Sequence, residues 1–396
     1  MRRNYEVIVV GCGGLGSAAA YWLARRAGAD VLALEQFTLG HDRGSSQDHS
    51  RIIRLSYHNP DYIALAKSAY DVWREVEAES GVQLVVKTGG LDLERLGTNG
   101  EKDLAHCASS MANAGIAYEE LTAADVMDRW PQFRLPEDAR ALYQPDSGLV
   151  DARKANAVHV ALARGLGTTI HEQVAVEKFS SDAHGVEVHT SVGAFRARHV
   201  VITAGAWTNH LLAGLGVQWP LTVTQEQVTY FATPHLREFA PDRIPIWIWR
   251  AREEFYGFPV YGEVATKAGQ DVGGREVTAD TRTFEPDVET RDRLVRFLEQ
   301  HLPRFLGPQL YTKTCLYTMP PDRHFVLDAV PGHPNVSVAA DAGHAFKFAS
   351  LFGKVLADLA LDGRTAYPIA PFRADRPALT DPTFAPIFRN EAVLSR

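Results

Sequence analysis

Residues 5–16 read "YEVIVVGCGGLG", and this segment indicates how the first part of the chain folds. "YEVIVV" is a β-branched, apolar run typical of a buried parallel strand. Gly11, Gly13 and Gly16 then form a G-x-G-x-x-G turn, and "SAAAYWLARRAG" after it combines small residues, helix formers and a glycine stop. A second strand, "DVLALE", ends in Glu35. Strand, glycine turn, helix and strand in this order predict a βαβ unit.

This unit predicts a dinucleotide site. Glycines let the turn close and bring backbone N–H groups to a pyrophosphate, and the helix N-terminus adds a favourable dipole. Glu35 stands 24 residues after Gly11, where a carboxylate can accept hydrogen bonds from ribose hydroxyls. An acid in this place favours an unphosphorylated ribose. We therefore expect FAD or NAD rather than NADP.

The composition narrows the class of protein. The chain has 396 residues, enough for two domains or for one large domain with an insertion. Its net charge is −7 and it has no run of Lys and Arg, so nucleic acid is not an expected partner. The three cysteines, at 12, 107 and 315, lack zinc-ligand spacing. They predict a reducing, cytoplasmic location, with no disulfide framework and no metal site.

Residues 7–24, "VIVVGCGGLGSAAAYWLA", carry no charge and follow Arg2 and Arg3. Such a segment mimics a signal peptide or a membrane helix. The patterned glycines and the second strand favour the nucleotide turn instead. No other stretch is long and apolar enough to span a bilayer, so no membrane association is expected.

Two later segments repeat the strand, turn and helix pattern. They are residues 195–212, "FRARHVVITAGAWTNHLL", and residues 336–363, "VSVAADAGHAFKFASLFGKVLADLALDG". Residues 222–275 alternate aromatic and polar side chains, which favours an antiparallel sheet. The predicted fold class is α/β, with a Rossmann-like FAD-binding domain and an inserted, mainly antiparallel substrate domain. We expect the first domain to comprise 1–86, 146–220 and 325–385, and the second to comprise 87–145 and 221–324.

Nucleotide-type segments spread through the chain favour the long cofactor FAD over NAD. The chain also resembles, nearly end to end, the monomeric sarcosine oxidase and N-methyltryptophan oxidase family of D-amino-acid-oxidase-like flavoproteins. The resemblance is carried by "VIVVGCGGLG", "GSSQDHSRIIRLSYH", "ITAGAWT", "YGFPVYGEVATKAG", "KTCLYTMPPDRHFVLD" and "AGHAFKF".

Cys315 is the cysteine for which the resemblance implies a role. A lone cysteine is more commonly a packing residue, as we expect of Cys12. In the family, the cysteine of the TC-x-YT segment forms a thioether to the 8α-methyl of FAD, which implies 8α-S-cysteinyl FAD here. The segment around Gly343, His344 and Lys347 would stabilise negative charge near flavin N1 and the C2 carbonyl.

"SRIIR" places Arg51 and Arg54 three residues apart, on one face if the segment is helical. The resemblance implies that Arg51 lies near the flavin ring and that Arg54 and Lys347 hold a substrate carboxylate. Two cations around one desolvated anion are chemically sensible, although exposed arginines are usually solvated. The further expected neighbours of the flavin are Ser45, Ser50 and Val174.

Lys267 matches the lysine that activates oxygen in the family. A positive charge beside flavin N5 lowers the cost of passing an electron to O2. A lone lysine in a strand or loop is otherwise usually solvent-facing. Tyr256 matches a tyrosine of the substrate pocket, and Tyr317 is expected in the same site.

The chain also departs from the family pattern. Asp271 stands where the sarcosine-type enzymes carry a histidine, and Ser46-Gln47 replaces one of their paired histidines. Trp247 lies in a segment expected to line the pocket. An aromatic pocket with an extra carboxylate suits a cyclic or bulkier secondary amine, although Asp271 could equally be a solvated loop residue.

The predicted function is an FAD-dependent oxidase of a secondary, N-methyl or cyclic, amino acid. Hydride transfer gives an imine, and O2 re-oxidises the flavin to give H2O2. By resemblance we expect a monomer. Three alternatives stay open: a dehydrogenase of the same fold with another electron acceptor, a protein that holds FAD without turnover, and an NAD-dependent dehydrogenase.

Overall fold

The computed structural model describes residues 2–96, 104–182 and 184–388. The helices of these residues are α1 Gly14–Ala27, α2 Pro60–Ser80, α3 Leu104–Asn113, α4 Ala123–Arg129, α5 Ala152–Gly165, α6 Thr208–Ala213, α7 Val288–His301, α8 Ala349–Asp362 and α9 Pro377–Thr380. The strands are β1 Asn4–Val10, β2 Val31–Leu34, β3 Ser50–Ile53, β4 Val85–Lys87, β5 Gly90–Arg95, β6 Glu119–Thr122, β7 Ala139–Gln144, β8 Gly148–Asp151, β9 Thr169–His171, β10 Val176–Asp182, β11 Gly185–Thr190, β12 Gly193–Ile202, β13 Thr222–Phe231, β14 Ile246–Arg250, β15 Glu254–Phe258, β16 Thr266–Asp271, β17 Arg275–Val277, β18 Gln309–Met319, β19 Val326–Val330 and β20 His333–Ala340.

The first large sheet is built around the three strands that the repeated pattern predicts. β1 runs parallel to β12 and to β2, and β12 runs parallel to β20. The residues in the middle of β1 are fully buried. On one face of the strand, Val7 and Val9 belong to the same apolar cluster as residues of α1 and α8. Parallel strands have their carboxyl ends at one edge, so the turns after β1, β12 and β20 meet there.

The second large sheet is mainly antiparallel. Its order is β17-β13-β16-β15-β14-β5-β7-β6, with β18 also paired to β13, and only β14 and β5 run parallel among its described pairs. The first sheet takes its strands from residues 4–34, 169–202 and 326–340, and this one from 90–144 and 222–319. The predicted fold class is therefore confirmed. The domain boundaries themselves stay a prediction.

A third, small sheet has the strand order β3-β8-β4. The possibility that "SRIIR" is helical is wrong, because Ser50–Ile53 forms a strand antiparallel to β8. Two adjacent isoleucines favour extended backbone. Arg54 follows the end of this strand.

The uncharged segment 7–24 is divided between β1 and α1. It therefore forms part of the first sheet and its covering helix. In the part of the chain that the structure describes, no helix has both the length and the apolar character to cross a bilayer.

Candidate active site

A cavity of about 1820 Å³ runs from the glycine turn after β1 to the inner face of the second sheet. A volume above the usual ligand pocket of about 300–1,000 Å³ suits an extended cofactor together with a substrate. Most of the predicted site residues line it: Gly11, Gly13, Glu35, Ser45, Ser50, Arg51, Arg54, Val174, Tyr256, Lys267, Asp271, Cys315, Tyr317, Gly343, His344 and Lys347.

The glycine turn has the tight geometry of a phosphate cradle. Gly11 has a φ of +88°, and a Cβ there would lie 2.7 Å from the carbonyl oxygen of Thr203. Gly16 lies behind the cavity lining, and a Cβ there would meet the Gly11 carbonyl oxygen at 1.8 Å. Only glycine at these two places lets α1 approach β1 and leaves the turn open to a pyrophosphate.

Glu35 follows β2 and faces the same turn. Its carboxylate accepts hydrogen bonds from the backbone N–H groups of Cys12, at 2.8 Å, and Phe37, at 3.0 Å. Burial alone would raise the pKa of Glu35, but the hydrogen bonds from His41 and from these two N–H groups lower it. The group is therefore an ionised acceptor beside the place predicted for the ribose.

Cys315 lies in the middle of β18, directly opposite Glu226 of β13. Burial raises the pKa of the Cys315 thiol to about 11, although Arg51 opposes the shift. The thiol is therefore protonated at neutral pH in the structure as it stands. Burial also raises the pKa of Glu226 to about 7, while Glu226 accepts a hydrogen bond from Thr224 Oγ1 at 2.6 Å.

Lys267 lies on β16, its side chain is 3% exposed, and its charge interacts with Cys315. Its Nζ lies 2.7 Å from Asp48 Oδ2 and donates hydrogen bonds to Ser50 O at 2.8 Å and Ser50 Oγ at 3.1 Å. We call these two residues the Lys267–Asp48 pair. Burial lowers the pKa of Lys267 to about 8, and Asp48 opposes the shift.

Arg51 lines the same cavity as Cys315 and Lys267. Its Nη2 donates hydrogen bonds to the backbone carbonyls of Ser45, at 2.8 Å, and Gln47, at 2.7 Å. These bonds hold the guanidinium in place between Cys315 and Asp48, both of which interact with its charge. The expected position of Arg51 near a flavin ring stays a prediction.

A second group of charges lies farther along the cavity, and we call Arg54, Asp92, Arg250 and Lys347 the Arg54–Lys347 cluster. Arg54 Nη1 lies 2.9 Å from Asp92 Oδ1, and Arg250 Nη2 lies 2.6 Å from the same oxygen. Two arginines therefore share one carboxylate. Burial would raise the pKa of Asp92, but Arg250 and Arg54 hold it below its usual value.

Lys347 is the part of the cluster without a counter-ion. Its buried Nζ donates a hydrogen bond to His344 O at 3.0 Å, and no carboxylate of the described residues lies within ion-pairing distance. Burial, together with the repulsion of Arg54, lowers the pKa of Lys347 to about 7. Arg54 Nε is also buried without a hydrogen-bond partner among the described residues. Both groups can donate to an anion.

Asp271 lies at the end of β16 and forms an ion pair with Arg323, at 2.9 Å from Nη2. The structure thus favours the interpretation that Asp271 belongs to the pocket over the interpretation that it is a solvated loop residue. Glu254 of β15 stands opposite Asp271 in the sheet. Burial and the charge of Asp271 raise the pKa of Glu254. Burial likewise raises the pKa of the Tyr256 and Tyr317 hydroxyls, so both remain neutral phenols.

The expectation that Trp247 lines the pocket is wrong. Successive residues of a strand point to opposite faces, and on β14 it is Ile248 and Arg250 that line the cavity. Trp247 is fully buried on the other face, with its ring centroid 5.8 Å from that of Phe297.

Several charged residues of the site were missed by the sequence reading. Their partners come from distant parts of the chain, so local spacing carries no signal for the pairs. Asp48 and Arg323 lie inside motifs that carry the family resemblance, and that position was a usable signal. The missed residues are Asp48, Asp92, Glu226, Arg250, Glu254 and Arg323.

Comparisons with known proteins find relatives along nearly the whole chain. A family model described as FAD dependent oxidoreductase matches residues 6–359. Monomeric sarcosine oxidase of Streptomyces avermitilis is 36% identical over 391 residues, with 94% of this chain and 97% of that protein covered. N-methyl-L-tryptophan oxidase of Escherichia coli is 31% identical over 380 residues, with 94% of this chain and 99% of that protein covered.

Solved structures agree with these relatives. NikD, described as an unusual amino acid oxidase essential for nikkomycin biosynthesis, superposes with a TM-score of 0.84 at 30% identity, and the match covers 94% of this chain and 97% of that one. L-proline dehydrogenase from P. horikoshii has a TM-score of 0.82 at 20% identity and supports the fold alone.

Proposed function

Because the chain belongs to the family of FAD-dependent oxidoreductases that includes the sarcosine and N-methyltryptophan oxidases, we propose that it oxidises a secondary amino acid and passes the electrons to O2. Its FAD is bound covalently and its substrate is an N-methyl or cyclic amino acid. The products are an imine and H2O2. Membership of this family makes FAD the cofactor, so the NAD-dependent alternative is wrong.

The single observation that carries this proposal is the Arg54–Lys347 cluster. Arg54 and Arg250 share Asp92, and Lys347 has no carboxylate partner in the described chain. A desolvated cluster with surplus positive charge binds an anion, because paired cationic donors replace the water that the anion loses. The carboxylate of an amino acid meets this requirement, and a simple amine does not.

The residues of the cavity suit FAD. The turn from Gly11 to Gly14 and the carboxylate of Glu35 would hold the pyrophosphate and a ribose, while Cys315, Arg51 and Gly343 would surround the ring system. Bound FAD supplies the acceptor for two electrons from the amine and passes them on to oxygen.

The chain's own groups orient the substrate for this transfer. Arg54 and Lys347 hold the carboxylate and thereby fix the direction of the amine-bearing carbon. Tyr256 and Tyr317, kept neutral by burial, form a wall of hydroxyl groups in the same cavity. The amine is oxidised as the neutral base and loses a hydride equivalent to form the imine. No side chain is required as a general base.

Cys315 is the proposed covalent anchor. Its sulfur would hold FAD through a thioether to the 8α-carbon, formed with loss of the thiol proton, one methyl proton and two electrons. O2, the acceptor of the proposed reaction, would take up these electrons and the protons as H2O2. Since burial raises the pKa of the thiol, the positive charges of Arg51 and Lys267, which lower it, favour the reactive thiolate.

The side-chain part of the substrate meets a polar wall. Asp271 and Arg323 form an ion pair that lines the cavity, and Glu254 stands next to Asp271. A polar wall favours a substrate whose side chain carries hydrogen-bonding groups over the small apolar N-methyl group alone. We therefore expect sarcosine to be a poorer substrate than a larger secondary amino acid with a polar or heteroaromatic side chain.

We also propose a monomer in a reducing compartment. The free cysteines and the similarity to the monomeric sarcosine oxidase of Streptomyces avermitilis support this. Analytical ultracentrifugation of the purified protein tests the oligomeric state.

Acid precipitation of the purified protein tests the cofactor proposal. Yellow colour should stay in the wild-type pellet and move to the supernatant, or be absent, in Cys315→Ala. A matched variant, Cys107→Ala, should keep its colour in the pellet because Cys107 is buried away from the cavity. Colour released from the wild type would overturn covalent attachment. An air-dependent peroxide assay with a panel of secondary amino acids tests the reaction itself.

A further inference from the structure

Asp48 lies against Lys267, the lysine for which the family resemblance implies the reaction with oxygen. The Lys267 ammonium has three N–H donors, and Asp48 Oδ2, Ser50 O and Ser50 Oγ all lie within 3.1 Å of Nζ. Both members of the pair have side chains that are 3% exposed. A buried ion pair of this kind is a fixed part of the site and is poorly replaced by water.

The backbone at Asp48 supports a specific role. Its φ is +87°, in the left-handed region that non-glycine residues rarely adopt. Tyr230 donates a hydrogen bond from its hydroxyl to Asp48 Oδ1, so the second carboxylate oxygen is also fixed. A side chain held in a strained backbone position by two partners points to function, because strain of this kind persists only where the surroundings enforce it.

The charges that face Lys267 make this partner necessary. Arg51 repels the ammonium, and its Nη1 lies 3.9 Å from the same Asp48 oxygen. The rings of Phe258 and Tyr230 lie 4.6 and 5.9 Å from Nζ, and the Cys315 thiol also faces it. Burial and Arg51 both favour the neutral amine, so without Asp48 this lysine would lose its proton near neutral pH.

We propose that Asp48 is the positioning residue of Lys267, whose carboxylate keeps the lysine charged and fixes its Nζ during re-oxidation by O2. The inference rests on the proposed oxidase function and goes beyond it, since the charge that serves oxygen is maintained by a second residue. Asp48 acts through Lys267 and is not itself a catalytic residue.

The pH dependence follows from the direction of the shifts. The pKa of Lys267 is about 8, so in the wild type the rate of re-oxidation by O2 should be highest below this pH and fall above it. In Asp48→Asn the counter-ion is lost while Asn still tolerates the left-handed backbone. The fall should then move to lower pH by about one unit or more. At neutral pH the variant should be re-oxidised more slowly, by about tenfold.

A double-mutant cycle gives a readout that is independent of turnover. Thermal unfolding of the flavin-loaded protein is compared for wild type, Asp48→Asn, Lys267→Met and the double variant. Each single change leaves one buried charge without its partner, so each should lower the unfolding midpoint. The double variant should be less destabilised than the sum of the two. Strict additivity would overturn the proposal.

Asp48→Gly is the second variant, because glycine suits the positive φ and also removes the carboxylate. It should shift the pH profile as Asp48→Asn does. An unchanged profile, or faster re-oxidation at neutral pH in either variant, would overturn the inference, since Asp48 would then be a spectator or would quench the lysine. If the wild-type flavin is reduced by an amine but forms no peroxide in air, the oxidase proposal itself fails, and the unfolding cycle still judges the pair.

Discussion

Two groups of buried positive charge line the same cavity, and the protein treats them in opposite ways. In the Lys267–Asp48 pair the ammonium has a carboxylate at 2.7 Å and two oxygens of Ser50 as further acceptors. In the Arg54–Lys347 cluster two arginines share Asp92, and Lys347 has no carboxylate within ion-pairing distance among the described residues. A positive charge that is paired with a carboxylate of the protein is a structural part of the site. A charge left over is a binding site for an anion.

The largest effect on stability is expected from a substitution that removes the shared carboxylate of the Arg54–Lys347 cluster. Asp92→Asn leaves Arg54 and Arg250 buried without their shared carboxylate, and breaking a buried pair in this way costs about 3–5 kcal/mol. We expect a clear fall in the midpoint of thermal unfolding of the flavin-loaded protein. Asp138→Asn is the control, since the Arg95–Asp138 pair is exposed, and it should change the midpoint little. Equal midpoints for the two variants would contradict the structural importance of Asp92.

Lys347→Met removes the surplus charge and should weaken substrate binding. A hydrogen bond to a charged group contributes about 1.5–3 kcal/mol, or roughly 10- to 150-fold in kcat/KM. Lys354→Met is the matched control on α8, because this lysine pairs with Glu75 outside the cavity. Steady-state kinetics on a secondary amino acid should separate the two variants. The same loss in both would mean that Lys347 does not hold the carboxylate.

The uncompensated lysine should also be visible in the pH dependence of anion binding. Burial lowers the pKa of Lys347 to about 7, so the protonated form that attracts a carboxylate prevails below this pH. The affinity for propionate, which has no amine to titrate, should be greatest at about pH 6, where the carboxylate is ionised and the lysine is charged, and should fall up to about tenfold per pH unit above pH 7. Titration of the flavin spectrum measures this affinity. Lys347→Met should give a flat profile, and an unchanged slope in that variant would assign the titration to another group.

The smallest effect on activity concerns the opposite face of the same sheet. Trp247→Phe should leave kcat/KM within about twofold, because the ring packs against Phe297 and Phe305 away from the cavity. The midpoint of thermal unfolding should fall, because Trp247 is fully buried and the smaller ring leaves a cavity beside Phe297 and Phe305. Tyr256→Phe, on the cavity face of the neighbouring strand, should lower kcat/KM by more. A larger loss of kcat/KM for Trp247→Phe than for Tyr256→Phe would indicate that Trp247 lines the pocket.

The fold was predictable because the backbone conformations that it requires depend on residues that are close together in the sequence. The glycine turn after β1 needs a positive φ at Gly11 and a close approach at Gly16, and only glycine meets both. The repeated strand, turn and helix pattern assigned β12 and β20 to the same domain as β1, and in the sheet β12 pairs with β1 and β20 pairs with β12. These features depend on neighbours in the sequence, so the sequence alone carries them.

The charge pairs were not predictable in the same way. Lys267 and Asp48 meet only because β16 and the segment before β3 come together in the folded chain. Trp247 was assigned to the wrong face because an uninterrupted apolar and aromatic strand gives no period-2 signal. The expected roles of Cys315, Arg54 and Lys267 came from the family resemblance, and the structure adds their partners.

The most direct test of the account compares a secondary amino acid with the amine that differs from it only by loss of the carboxylate. Each is mixed anaerobically with the flavin-loaded protein, and the loss of yellow colour is followed before air is admitted. We expect rapid bleaching by the amino acid, slow or no bleaching by the amine, and return of colour with H2O2 in air. Equal bleaching by both compounds, or colour that no amino acid removes, would contradict it.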